Sequence, residues 1–330
     1  MSEIEDLATK LAIGIGILMY IFGLLGNLMN ICVFTRWCWP KKRTHNNNNN
    51  NNNNMSTSNS PIYLLVSSYA NFIQIIYPLL TRIIFDGFQH QKTKENEIYT
   101  CKIRYFVLHT CDIISLVCVC MATLDRFFIT SRNARLRQMS TTRKHTIHII
   151  ILIIIIILLH NIPICFYSYV LLNGQCTMSS TSYLYYYLII IQICFHGIFP
   201  IFFLSIFGSL TYKQIKSIPI TNNRRLLNRD KQLSRMLYLL AIAILLSAIP
   251  YSIENIYLVV SKDFMRDLTD YGLLFYYLAM LLFFTNPVLS FYIFFISTPN
   301  FRRQLRTFFF RKVNLQQLAN NQVNTITSGQ

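Results

Sequence analysis

The stretch Cys101–Phe127, CKIRYFVLHTCDIISLVCVCMATLDRF, opens on a cysteine at the end of a polar loop and closes on Asp125–Arg126–Phe127. After Lys102 and Arg104 it is mostly apolar. Cys101 and Arg126 are 25 residues apart. At roughly 1.5 Å per helical residue that is about 37 Å, more than a hydrocarbon core of about 30 Å. One helix therefore places a cysteine at one membrane face and an Asp–Arg pair at the other. An arginine near the end of a membrane helix is costly unless it snorkels or pairs, which makes Arg126 either a functional residue or an ordinary flanking charge.

The rest of the chain puts this helix in a membrane. Of 330 residues, 53% are hydrophobic and 13% charged, against roughly 25% charged in soluble proteins. Ile149 to Leu159 is an unbroken run of isoleucine and leucine. Seven apolar blocks are long enough to cross a bilayer: 11–35, 61–84, 101–130, 146–171, 182–212, 233–260 and 271–297. Their length, and the lack of two-residue alternation, predict an all-α membrane protein, a seven-helix bundle rather than a barrel. Acidic Glu3, Glu5 and Asp6 precede the first block, which predicts an uncleaved anchor after a short outer N-terminus, residues 1–10.

The net charge is +17, and it is unevenly placed. The connections on one side carry 21 of the 30 Lys and Arg residues and those on the other carry 8, with Arg126 making up the total. The positive-inside rule makes the richer side cytoplasmic, with the N-terminus outside and the C-terminus inside. Because the charge flanks the membrane, nucleic-acid binding is not expected. The first cytoplasmic connection contains nine consecutive asparagines, 46–54, a low-complexity insert.

Several blocks carry polar residues. The first has Gly23, Gly26, Asn27 and Asn30, suited to close helix approach, with either an interhelical amide bond or packing alone. The second has Asn71 and Pro78; the third has His109, Asp112 and Ser115. Later blocks have Gln192, His196 and Pro200, then Pro250 and Glu254, then Asn286–Pro287. Prolines here kink helices and free carbonyls. After the seventh block, Asn300 to Phe308 mixes arginine and apolar residues at helical spacing, as in a helix lying on the inner membrane surface.

Taken in order, these features resemble the rhodopsin-like (class A) G-protein-coupled receptors over about residues 11 to 310. The resemblance rests on Gly26–Asn27, on Cys101 opening helix three, and on Asp125–Arg126–Phe127 where the family has Asp-Arg-Tyr. It rests also on Cys176 after helix four, on prolines in helices five, six and seven, and on the Phe301–Arg302 amphipathic segment before a cytoplasmic tail, 311–330. It implies a Cys101–Cys176 disulfide, for which both residues stand on the oxidising face; the alternative is two free thiols. It implies that Arg126 is a switch held by Asp125 and by Asp230 near helix six, unless Asp230 is a solvated loop charge. Release would move helix six outward and expose Arg126 to a heterotrimeric G protein at the plasma membrane. It further implies a polar network of Asn27, Asn71, Ser115 and Asn286.

The chain departs from the family at several switch positions. Asn71 replaces the helix-two aspartate, Ala248 the helix-six aromatic, and Gly208 the helix-five tyrosine. Where the family has a tyrosine three residues after Asn-Pro, Asn286–Pro287 leads to Ser290, while a second alignment lays Ser290–Phe291–Tyr292–Ile293–Phe294 on the motif; both alignments stay open. Leu108 stands where amine receptors have an aspartate, and helix seven has no lysine for a retinal link. The outer polar residues His109, Asp112, Gln192, His196 and Glu254 predict a ligand pocket, with a neuropeptide-like ligand drawn by outer acids. The alternative is that these side chains satisfy one another inside the bundle. A chemosensory receptor of the same fold, or a transporter, is the competing class. No cofactor, metal site or enzymatic motif is expected; His145 and His148 alone are too little for a metal.

Overall fold

In lipid every backbone polar group must be satisfied within the protein, so apolar blocks of this length fold as helices. The computed structural model describes residues 3–39, 59–87, 94–131, 133–139, 142–170, 176–178, 180–216, 224–261 and 270–308. The asparagine run and the segment 311–330 lie outside the described residues. Helix α1 is Glu3–Cys38 and α2 is Ser60–Gln74, which continues through wider turns to Gly87. Helix α3 is Lys94–Thr130 and α4 is Arg143–Tyr167, with the short Ala134–Gln138 helix between them. Helix α5 is built from Thr181–Tyr186, Tyr187–Ile198 and Phe199–Lys216 in succession. Then come α6 (Arg224–Ser261), α7 (Asp270–Phe283), α8 (Thr285–Ser297) and α9, residues 299–308.

Six of these helices are long and apolar enough to cross a membrane, and the chain is a multi-pass helical membrane protein. Tyr277–Phe283 and Thr285–Ser297 form a seventh candidate span only if taken together, because they are bent by 41°. The continuous helix expected over 271–297 is thus broken at Phe284. Pro287 supplies the cause: it has no N–H and its ring crowds the carbonyl one turn back, at Phe283. Pro78 has a milder effect in α2, where Ile75–Leu79 widens to i→i+5 turns around it.

Helix four was expected to run to 171 but stops at Tyr167. Ser168 takes an extended conformation, and its hydroxyl donates to the Ile164 carbonyl at 2.5 Å. Ser168–Val170 (β1) then pairs antiparallel with Cys176–Met178 (β2), Val170 opposite Cys176. This two-stranded hairpin is the exception to the all-α expectation, and β1 packs on α3.

Burial ranks the helices. In α3 and α2, 72% and 67% of the apolar window is buried; in α1 and α4 only 28% and 22%. So α3 is the axis of the bundle and α4 presents most of its isoleucines outward. Ile150, Ile157 and Ile164, seven residues apart, form the buried stripe of α4. Two glycines set the α1 contacts. A Cβ at Gly26 would stand 2.9 Å from Phe291 Cβ, and one at Gly23 2.6 Å from Ile75 Cδ1. Asn27, which follows Gly26, donates to the Pro287 carbonyl at 2.8 Å. Helix α9 anchors by Phe301, whose ring meets Phe34, Trp37, Phe291 and Phe294. Arg302, Arg303 and Arg306 of α9 are exposed.

Gly26→Val should destabilise the bundle by about 1–3 kcal/mol, because the clash is with the first carbon of Phe291 and not a flexible tip. Thermal unfolding in detergent micelles, wild type against variant, checks this.

Candidate functional site

Two clusters of buried polar groups lie along α3. The first is at its C-terminal end. Ser60 is the first residue of α2, followed by Pro61 in the first turn, where a missing N–H costs nothing. No side chain of α2's own flank caps this helix start. Asp125 supplies the anion instead, from another helix. Its Oδ2 accepts from the Ser60 backbone N–H at 2.9 Å and lies 2.7 Å from the Ser60 hydroxyl. A carboxylate at a helix N-terminus is favoured by the orphan N–H groups and the dipole. Arg126 Nε donates to the same hydroxyl at 3.0 Å. Ser60 thus joins both members of the Asp–Arg pair, and Arg126 is 1% exposed.

On the other side of Arg126 a cavity of about 10 Å³ is lined by Thr123, Leu204, Gly208, Thr211, Leu237, Tyr238 and Ala241. Helix α3 also meets α5 here, where the Thr130 hydroxyl lies 3.0 Å from Gln214 Oε1. Asp230 belongs to α6, but its side chain is outside the described residues, so the expected latch has no geometry to report.

The second cluster is in the N-terminal half of α3 and joins four of the five residues expected to line a ligand pocket. Asp112 Oδ2 is 2.9 Å from His196 Nε2, and Asp112 Oδ1 lies 3.4 Å from Gln74 Nε2. His196 Nδ1 is 2.7 Å from the Ile191 carbonyl. The two histidine rings are 5.5 Å apart, edge to face. Tyr187 Oη lies 2.5 Å from His109 Nε2 and 2.6 Å from Gln192 Nε2, and Gln192 reaches Tyr251 Oη at 3.4 Å. All these side chains are buried. The cavity beside Asp112 and His196, closed by Tyr251, Phe283 and Asn286, measures about 10 Å³, room for about one water. Most of these side chains bond within the cluster, while Gln74 Oε1, Gln192 Oε1 and His196 Nε2 are buried without a hydrogen-bond partner. The side chain of the fifth residue, Glu254, is outside the described residues.

The four residues expected to share one network are dispersed. Asn27 bonds Pro287, Ser115 bonds Ser67 at 2.8 Å, and Asn286 lines the cavity beside Asp112. Asn71 Oδ1 is buried without a hydrogen-bond partner. Ser290 turns inward to Asn30 at 3.3 Å, while Tyr292 reaches the Phe22 carbonyl of α1.

Cys101 is buried and disulfide-bonded. Cys32, Cys38, Cys111, Cys118, Cys120, Cys165 and Cys194 are free thiols. Cys176 opens β2, with its side chain outside the described residues. No group of three His, Cys, Asp or Glu residues that holds a metal occurs among the described residues.

Sequence reasoning missed Ser60, Gln74, Tyr187 and Tyr251. Asn59–Ser60–Pro61 is a helix-start signal, yet nothing in it names Asp125 as the partner. Scanned against protein-family models and against curated proteins, the chain matches none.

Ser60→Ala should cost about 1–3 kcal/mol, since it removes a hydroxyl that bonds two charged groups in a buried site. Asp125→Asn in the Ser60→Ala background should then cost less than it does alone, as a double-mutant cycle by thermal unfolding will show.

Proposed function

We propose that this chain is a seven-span G-protein-coupled receptor of the rhodopsin-like kind, transducing an outer stimulus to a heterotrimeric G protein. The observation that carries the reading is the enclosure of Arg126 at the inner end of the most buried helix, beside Asp125 and tied to α2 through Ser60. A charge in that position is expensive to bury and is kept where it acts. With α7 and α8 counted as one bent span, the crossings number seven, the N-terminus is outside and α9 lies along the cytoplasmic surface of the plasma membrane. We assign Cys176 as the partner of Cys101, since it alone of the nine cysteines is neither Cys101 nor among the free thiols. The bond ties the β1–β2 hairpin to the outer end of α3.

In this reading the ties of Arg126 hold the resting state, and Asp230 adds a further one from α6. An exposed ion pair of that sort contributes up to about 1 kcal/mol, suited to reversible release. Outward movement of α6 widens the small cavity lined by Gly208, Leu237 and Tyr238 and opens Arg126 to the G protein. The reading gives the chain no enzymatic chemistry. A neuropeptide-like ligand requires an open outer mouth above the closed cluster, so a peptide acts from above it.

Basal G-protein activation in cells tests this. Arg126→Ala should abolish activation, and Asp230→Ala should raise basal activity several-fold at equal surface expression. Equal signalling from wild type and Arg126→Ala would remove the switch from the account.

A further inference from the structure

The chain has two tryptophans, Trp37 and Trp39, and both stand where α1 ends. Trp37 meets α9, its ring 6.0 Å from Phe301. Trp39 meets α4 instead. It is 56% exposed, and the guanidinium of Arg143 lies over its ring at 5.0 Å. Arg143 also stands close enough to Cys38 to act on it electrostatically. The end of α1 and the first residue of α4 are therefore neighbours. Each is also the end of an apolar span: Cys38 closes one and Arg143 opens the other. A tryptophan and an arginine at that level lie among lipid headgroups, the depth that amphipathic rings favour.

Stacking uses the face of a guanidinium, and its five N–H donors point outward within the plane. Among the described residues, the guanidinium of Arg143 makes no hydrogen bond or ion pair; its contact is the indole. Its edge is thus held in place with its donors available. Lys144 beside it is exposed. The Trp39 N–H donates to the Thr35 carbonyl at 2.9 Å, so the winding of α1 carries on through Trp39. Arg36, three residues back, shares that face. Among the described side chains no acid is exposed to offset these cations. Ile147 and Ile151, one and two turns into α4 from Arg143, are exposed as well.

We propose that this seam between α1 and α4 binds an anionic phospholipid. Its phosphate pairs with the fork of Arg143, Lys144 and Arg36 add charge, and its acyl chains lie along Ile147 and Ile151. A phosphate and a guanidinium match in geometry, two parallel hydrogen bonds at once, and basic pockets between membrane helices take such headgroups. The apolar track below the cations selects a lipid over free phosphate, which has no chains to lay there. Of the six candidate spans α4 is the least buried, at 22% of its apolar window, and the lipid gives it a tie to α1. The inference rests on the multi-pass membrane character of the chain and not on the receptor reading.

The test uses the full chain in micelles. Native mass spectrometry measures retention of phosphatidylserine and of phosphatidylcholine by wild type, Arg143→Gln, Trp39→Leu and Arg137→Gln. Arg137 is the control, an exposed arginine on the short Ala134–Gln138 helix that precedes α4. Wild type should hold phosphatidylserine in preference to phosphatidylcholine. Arg143→Gln should weaken the tightest phosphatidylserine site about tenfold, the loss of one charge-assisted hydrogen bond. Trp39→Leu should weaken it several-fold, and Arg137→Gln should leave it unchanged. Equal losses in Arg143→Gln and Arg137→Gln would mean diffuse attraction to a basic surface and would overturn the site, as would the absence of any lipid preference in wild type. Inorganic phosphate should raise the thermal midpoint of wild type less than phosphatidylserine does; an equal rise assigns the site to free phosphate and overturns the lipid. If Arg143→Gln does not fold, the wild-type tryptophans read the same contact. Brominated phosphatidylserine should quench their fluorescence more than brominated phosphatidylcholine, and equal quenching overturns the proposal.

Discussion

A guanidinium cannot be left bare in a low-dielectric bundle, and the end of the bundle around the C-terminus of α3 is arranged around that constraint. Arg126 is enclosed because Ser60 offers it an acceptor, and Ser60 is fixed because Asp125 accepts from its N–H and its hydroxyl. The same carboxylate serves as the anion at the start of α2. One hydroxyl therefore sets the register of α2 on α3, and the glycine contacts of α1 then build on α2 and α8. Removing a single polar group there disturbs a charge pair, a helix start and a helix interface together.

The opposite half, around the N-terminal part of α3, follows a different rule. Its polar groups gather around His109, His196 and Asp112. Lipid offers no partners, so each member depends on the others. Between the two clusters lie apolar layers, with Leu116, Val119 and Ala122 of α3 buried in the core. The two ends communicate through the rigid axis of α3 and through α6, which borders both small cavities.

The helical, membrane-spanning character of the chain and six of its spans were legible in the sequence, because apolar runs of this length have few alternatives in a membrane. The ends were less so. Val170 and Leu171 extend the apolar run of helix four, yet Ser168 turns the chain into a strand, a local hydrogen bond that hydropathy does not register. The break at Phe284 was implied by Pro287 but its size, 41°, depends on packing. His109, Asp112, Gln192 and His196 were readable as inward-facing polar residues. Tyr187 was not: five residues before Gln192, it lies about 140° away on an ordinary helix of 3.6 residues per turn. The wider i→i+5 winding of Tyr187–Ile198 brings the two onto one face. Ser60 was invisible for another reason, since its partners are 65 and 66 residues away and its own neighbours say only that a helix begins.

The account stands most directly on the number of membrane crossings, because the bent α7–α8 pair is what separates six from seven. Sidedness of the two termini decides it: epitope tags on each end, read by antibody in intact and in permeabilised cells. The account predicts that the N-terminal tag is stained on intact cells and the C-terminal tag only after permeabilisation. Both tags on the same side would mean an even number of crossings, and the receptor orientation argued from Arg126 and the basic inner loops would be contradicted.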